Sequence, residues 1–275
     1  METAGAFMPF TFGEPKPDIQ CPHCGKTLRQ IVHIGPEEAR CYTPQHEDCG
    51  CSGAAEQRLA EAMEQERRAE KRKRRDIQAL VDASGIPKRY QNAVFTAYQV
   101  PPGSAKLYRT AYAYAERFGG IADGMGLYLT GGCGVGKTHI ATAIALHLIE
   151  QERRVICMNT IELLARIRGA YTAGETEQEL LRDYLRAELL ILDDLGKESI
   201  TDWSLQMLYT LVDMRYSSLK PMIVTTNYTD GKLIKRLARK GDEITAQAIV
   251  SRLHEVCHTV DVTGEDYRTK REIAP

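Results

Sequence analysis

Apolar residues never accumulate in this chain into the run of about eighteen that a membrane span requires, although they make up 43% of its 275 residues. The opening METAGAFMPF has neither the basic stretch nor the long apolar core of a secretory signal, so the expected location is the cytoplasm and no membrane partner is expected. An excess of one charge sign is missing too. Lys and Arg number 36 against 37 Asp and Glu, a formal net charge of −1, which excludes global attraction to nucleic acid and confines any such binding to local patches. Tryptophan occurs once, at Trp203, and no internal repeat is present. Cysteine is sparse after residue 51: five of the eight fall between Cys21 and Cys51, and Cys133, Cys157 and Cys257 are scattered singly. In a reducing compartment such clustering points to metal rather than to disulfides.

Composition changes along the chain suggest three parts. Residues 1–53 hold an irregular, proline-bearing start and the cysteine block. Residues 54–83 open as a charged run of Ala, Glu, Gln, Arg and Lys, with Glu64 and Arg68 at i,i+4 spacing and only Leu59 and Met63 as an apolar face. These features predict a solvated helical connector from 54 to about 75, ending in the basic KRKRR at 71–75. Residues 84–275 read as a packed domain. Short apolar runs at 127–130, 155–158, 189–192, 222–225 and 258–262 predict strands, and amphipathic stretches at 105–118, 138–151, 160–170, 176–187, 202–218 and 244–256 predict helices. That alternation predicts an α/β fold whose mainly parallel five-stranded sheet is covered on both faces.

Gly131-Gly132-Cys133-Gly134-Val135-Gly136-Lys137-Thr138 fits the phosphate-loop pattern G-x-x-x-x-G-K-[ST] between a predicted strand and a predicted helix that begins at Thr138 and His139. Glycines let successive backbone N–H groups face phosphates, the lysine reaches the β and γ phosphates, and the threonine hydroxyl ligates Mg²⁺. LLILDDLG at 189–196 is an apolar run entering two carboxylates. At the C-terminal edge of a buried strand, Asp193 is placed to hold magnesium and Asp194 to orient or deprotonate a water. PMIVTTNY at 221–228 ends at Asn227, which either positions that water or simply makes a turn. Arg252, in AIVSRLHE, either pairs within its own subunit or reaches the nucleotide of a neighbour, in which case the assembly is a homo-oligomer with composite sites. Cys21-Pro-His-Cys24-Gly has the spacing of a zinc knuckle, with Cys41, His46, Cys49 and Cys51 all at plausible distance as partners.

With these elements in this order, the chain resembles AAA+ ATPases, and within them the DnaC/DnaI helicase loaders and the related IstB transposition helpers. The resemblance is carried by GGCGVGKTH at 131–139, LLILDDLGKE at 189–198, IVTTNY at 223–228 and SRL at 251–253, and SGIPKRYQNAVFTAY at 84–98 resembles the segment that precedes such a core. It runs from about residue 84 to 268, roughly two-thirds of the chain.

The resemblance implies ATP and Mg²⁺ bound at 131–139 by Lys137 and Thr138, with Asp193 and Asp194 as the acidic pair. It also implies Asn227 as sensor, Arg252 as trans-acting finger and Arg268 as a second sensor. It implies zinc on Cys21, Cys24, Cys49 and Cys51, since C-x-x-C followed by C-x-C recurs in such loaders, and it assigns that module to gripping a hexameric replicative helicase. Four sulfurs would leave zinc no open position and therefore a purely structural role. A helical element at 159–184 resembles the one lining a single-stranded DNA path, where Arg166, Arg168, Tyr171 and, further on, Trp203 could contact phosphates and stack on bases. Each of these is also readable as an ordinary surface or packing residue. One departure is visible: Asp194 stands where many AAA+ proteins carry glutamate. Its shorter arm implies slow, regulated hydrolysis, a switch more than a motor.

The resulting expectation is an ATPase that loads a replicative helicase onto single-stranded DNA during replication initiation. The alternatives are a transposase helper and an ATP-binding scaffold with little turnover.

Overall fold

The computed structural model describes residues 13–34, 40–98, 104–121, 123–172, 176–238 and 242–267. The chain divides into two compact units, Met1–Lys73 and Arg74–Pro275. Among the described residues, no helix is long and apolar enough to cross a membrane.

The first unit holds two small antiparallel pairs. β1 (Ile19–Gln20) pairs with β2 (Thr27–Leu28), and the intervening turn presents Cys21 and Cys24. β3 (Gln30–Ile34) pairs with β4 (Arg40–His46), placing His33 opposite Cys41. Neither pair is foreseen from the sequence, because strands of two to seven residues carry no sustained run of alternating apolar residues. α1 (Ser52–Ala83) follows, and the boundary between the units falls within it. Its 32 residues exceed the expected 54–75, and its last two turns are not a solvated connector: Ile77, Leu80 and Val81 are partly buried against the core of the second unit.

The second unit is built on a five-stranded sheet of order β6-β7-β8-β5-β9. Its strands are β5 (Gly126–Gly131), β6 (Val155–Asn159), β7 (Leu189–Leu195), β8 (Met222–Thr226) and β9 (Cys257–Val262), all paired in parallel. Parallel strands buried on both faces read as continuous apolar runs, and their alternate residues divide between two cores. Leu127, Leu129, Val155, Cys157, Leu189 and Ile191 pack with α2 (Ala105–Arg117) and α3 (Lys137–Glu150) on one face. Tyr128, Ile156, Met158, Leu190 and Leu192 pack on the other with α4 (Thr160–Thr172), α5 (Glu177–Arg186), α6 (Asp202–Ser217), α7 (Asp230–Leu237) and α8 (Glu243–Val256). α3 is buried nearly all round, as suits a helix lying on the middle of a sheet. α7 goes unforeseen because it is only eight residues long; its buried Leu233 and Leu237 seat it.

One buried cation ties the second core together. Arg215, with no exposed surface, donates through Nη1 to the carbonyls of Tyr184 (2.5 Å) and Ala187 (3.1 Å) and through Nη2 to Pro221 (2.7 Å). It thereby satisfies carbonyls at the end of α5 and at the entry to β8 that would otherwise be orphaned. Burial lowers its pKa to about 10, so it remains charged at neutral pH.

Candidate nucleotide-binding site

β5 delivers its last residue, Gly131, into a loop that turns into α3 at Lys137. The turn needs glycine at its last position. Gly136 has a φ of +96°, and a Cβ there would meet the Tyr98 hydroxyl at 2.8 Å. Lys137 is 5% exposed, and burial lowers the pKa of its ammonium, against the carboxylates of Asp194 and Asp193, which raise it. Its Nζ donates to the carbonyls of Gly131 (2.9 Å) and Gly132 (2.6 Å) and to Asn227 Oδ1 (2.7 Å). Asn227 follows β8, which lies between β5 and β7. This juxtaposition is what the turn reading of Asn227 lacks.

Asp193 is held by three hydroxyls. Thr138 Oγ1 donates to Oδ1 and Oδ2 at 2.9 and 3.0 Å, Thr225 Oγ1 donates to Oδ1 at 2.6 Å, and Thr160 Oγ1 donates to the backbone carbonyl at 3.2 Å. Burial raises the carboxyl pKa above the ordinary range, while the bonds from Thr225 and Thr138 oppose that rise. A buried carboxylate beside a threonine hydroxyl at a phosphate loop is a hard, all-oxygen donor set, which suits Mg²⁺. Next to it, Asp194 takes a left-handed φ of 60° and its Oδ2 lies 2.7 Å from Lys197 Nζ. A cavity of about 430 Å³ opens beside these groups, lined among others by Thr138, Asp193, Asp194, Asn159, Glu162 and Lys197.

Several neighbours escape a reading by motif. Tyr98 packs against Gly136 and sets its ring 5.1 Å from that of His139. Burial lowers the His139 pKa, keeping the ring neutral. Val135 is buried, whereas Cys133 is exposed. The Tyr267 amide donates to the Gly134 carbonyl at 3.1 Å, and the Asp266 carboxylate lies against Gly134, where a Cβ would collide with it. Thr225, Lys197 and Asp266 carry no sequence signal of their own; only the segment in which each sits could have flagged it. Arg268, next in the chain, lies outside the described residues.

Arg252 is paired within its own chain. Its Nε donates to Asp213 Oδ1 at 2.8 Å and its Nη2 to the Tyr209 hydroxyl at 3.1 Å, with the guanidinium 4.9 Å above the Tyr209 ring. Of the residues suggested for DNA, Arg168 and Trp203 come together, the guanidinium standing 4.6 Å over the indole. Arg166 instead pairs with Glu162 at 3.3 Å, and the Tyr171 side chain lies outside the described residues.

In the first unit the sulfurs of Cys21, Cys24, Cys49 and Cys51 all lie within 4.8 Å of one another. The separations Cys21–Cys51 (3.8 Å), Cys24–Cys49 (3.6 Å) and Cys21–Cys49 (3.3 Å) approach the edge of about 3.8 Å that a tetrahedron with zinc–sulfur bonds of about 2.3 Å would have. Backbone N–H groups of His23 and Cys24 lower the Cys21 thiol to about 6, while the Cys51 side chain pushes the Cys49 thiol up to about 12. The competing ligands stand apart from this cluster: Cys41 is in the β3–β4 pair, and His46 bonds the Pro17 carbonyl at 3.0 Å.

Comparison with known proteins accords with this geometry. The sequence model of the IstB-like ATP binding protein family matches residues 48–274. The chain belongs to that family. This IstB-like protein is similar to the replicative helicase loader DnaC of Escherichia coli K12, with 29% identity over 182 residues, 65% of this chain and 71% of the loader. Its structure is similar to the crystal structure of the DnaC helicase loader, with a TM-score of 0.56 and 28% identity, covering 64% of this chain and all of that one. DnaI, at a TM-score of 0.56, 24% identity and coverage of 66% and 93%, shares the fold. So does the initiator DnaA in a structure bound to AMPPCP and single-stranded DNA, at a TM-score of 0.53 and 19% identity, over 66% of this chain and 51% of that one. The α/β architecture is therefore that of an AAA+ P-loop ATPase, and ATP is the nucleotide the family implies.

Proposed function

We propose that the protein is an ATP-regulated loader that places a hexameric replicative helicase on single-stranded DNA. The observation that carries this reading is the likeness to a replicative helicase loader across 182 residues, in a chain whose Lys137, Asn227, Thr138 and Asp193 converge on one site. Lys137 and the amides of 131–139 would hold the ATP phosphates, with Arg268 as a further phosphate contact. Thr138 and Asp193 would hold Mg²⁺, whose chemistry is to draw charge from the β and γ oxygens. Asp194 would orient or deprotonate the water, Asn227 would report the state of the γ phosphate through Lys137, and Arg252 would serve a neighbour's nucleotide when the ATP-bound chain self-assembles. In that last role Arg252 must exchange Asp213 for phosphate, which makes hydrolysis conditional on assembly.

Zinc on Cys21, Cys24, Cys49 and Cys51 would supply much of the folding energy of a module too small for a core of its own. Residues 1–53 would grip the helicase, 54–83 would link, and 84–275 would bind ATP and DNA. Arg168 stacked on Trp203 supports a DNA contact, with Arg166 and Tyr171 on the same helix.

The test is affinity capture with the full chain. Recovery of a hexameric replicative helicase, lost on deleting residues 1–53, supports the loader. Recovery of a transposase overturns it in favour of the second reading, a transposition helper, which the IstB-like family match favours. ATP turnover no higher than that of Lys137→Ala would instead favour a scaffold that binds ATP without using it.

A further inference from the structure

Asp194 stands one residue beyond the carboxylate that Thr138 and Thr225 hold, in a backbone conformation that few residues other than glycine, asparagine and aspartate adopt. Two hydrogen bonds close the turn around it. Its amide donates to Thr225 Oγ1 at 2.9 Å, and the Lys197 amide donates to the Asp194 carbonyl at 3.2 Å. The turn brings Lys197 back over Asp194, Nζ to Oδ2 2.7 Å, with side chains 39% and 29% exposed. Both line the cavity that Thr138 and Asp193 also line, so the ion pair borders the same space as the two residues that would hold the metal.

We propose that Lys197 is a positioning residue acting through Asp194: it draws the carboxylate to its ammonium and so holds basal ATP hydrolysis down. The inference rests on the ATPase reading given above. In hydrolysis the water oxygen bonds to the γ phosphorus, and the bond from that phosphorus to the β–γ bridging oxygen breaks, its electron pair leaving with ADP. The water proton passes to an Asp194 oxygen. The 2.7 Å pair keeps the carboxylate turned toward Lys197, and aspartate lacks the extra methylene with which a glutamate could reach the water while keeping the pair. Lys197 would therefore slow turnover in a site where Lys137, Asn227, Thr138 and Asp193 are already brought together. Relief of a half-exposed pair of this kind corresponds to a rate change of about two- to five-fold.

Steady-state ATP turnover of the full chain, with ATP varied, tests this for wild type, Lys197→Met, Lys197→Arg and Lys137→Ala. Lys197→Met is expected to raise kcat about two- to five-fold while moving KM less than about two-fold, and Lys197→Arg, which keeps the cation, is expected to stay at the wild-type kcat. A kcat for Lys197→Met at or below wild type, in a wild type that exceeds Lys137→Ala, overturns the inference and leaves the ATPase reading standing. A rise shared equally by Lys197→Arg also overturns it, since charge would then not be the agent. If neither wild type nor Lys197→Met exceeds Lys137→Ala, both readings fall.

Discussion

Lys137 and Asn227, ninety residues apart in the chain, meet at 2.7 Å across the neighbouring ends of β5 and β8. The bond makes one unit of the phosphate loop and the strand that follows the acidic pair. Replacing Asn227 with alanine removes a neutral acceptor from a cation that keeps its two loop carbonyls, so nucleotide affinity should change little. Loss of a preorganised polar group at the reacting phosphate should lower kcat about 100- to 1,000-fold. Binding of a fluorescent ATP analogue, set beside steady-state turnover, separates the two effects.

Asp193 has a raised pKa because it is buried, and the sign of the consequence is fixed. A carboxyl with a folded-state pKa above its unfolded value stabilises the fold at pH below that unfolded value and loses the contribution as pH rises through the folded one. Asp193→Asn removes the charge while keeping an acceptor for Thr138 and Thr225. The ligand-free variant should thus have a higher Tm than wild type at pH 7 to 8, with the difference shrinking toward pH 4. In the presence of Mg-ATP the order should reverse, because the variant loses a metal ligand. Thermal denaturation at several pH values, with and without Mg-ATP, checks both halves.

Arg215 should be the most sensitive single position outside the phosphate loop. Truncation to methionine leaves the carbonyls of Tyr184, Ala187 and Pro221 without their buried donor, a loss of about 3–5 kcal/mol by urea denaturation. Lysine should not rescue it, since one ammonium cannot span acceptors that the two guanidinium nitrogens reach in different directions.

Arg252 is expected to act only where copies of the chain meet. Arg252→Ala should lower turnover at protein concentrations that support ATP-dependent assembly, leave it unchanged in dilute solution, and resist rescue by lysine. Asp213→Ala, which frees the guanidinium, should move the onset of assembly-dependent turnover to lower protein concentration. Turnover measured across a protein dilution series, alongside light scattering, reads both.

Metal analysis of the purified chain should find about one zinc per chain, since four thiolates close a tetrahedral site. Cys24→Ser should abolish it, whereas Cys41→Ser and His46→Ala should not. Chelation should cost helicase capture while sparing ATP binding.

Much of the second unit was legible from spacing. The five strands and, apart from the short α7, the helices between them follow from runs and periods of apolar side chains, which report local burial directly. The phosphate loop follows from glycine and lysine, whose conformational and chemical requirements are met within eight consecutive residues. The two acidic residues could be picked out, but what holds them could not: Thr225, Thr160 and Lys197 become partners of 193 and 194 only through strand register and one left-handed turn. Arg252 shows the same limit, because its two possible settings differ only in where α6 places Asp213 and Tyr209.

A nucleotide loop, a parallel sheet to carry it and a sulfur-rich knuckle ahead of it could be read before any coordinates, since each depends on residues close together in the chain. Spacing left Cys41, His46, Cys49 and Cys51 open as partners of Cys21 and Cys24, and folding is what gathers Cys49 and Cys51, the pair the resemblance implies, into the four-sulfur cluster. Folding also decided that Asn227 bonds Lys137 and that Arg215 is buried among carbonyls. Those outcomes depend on contacts between residues far apart, and residue type cannot specify a distance until the backbone has brought the pair together.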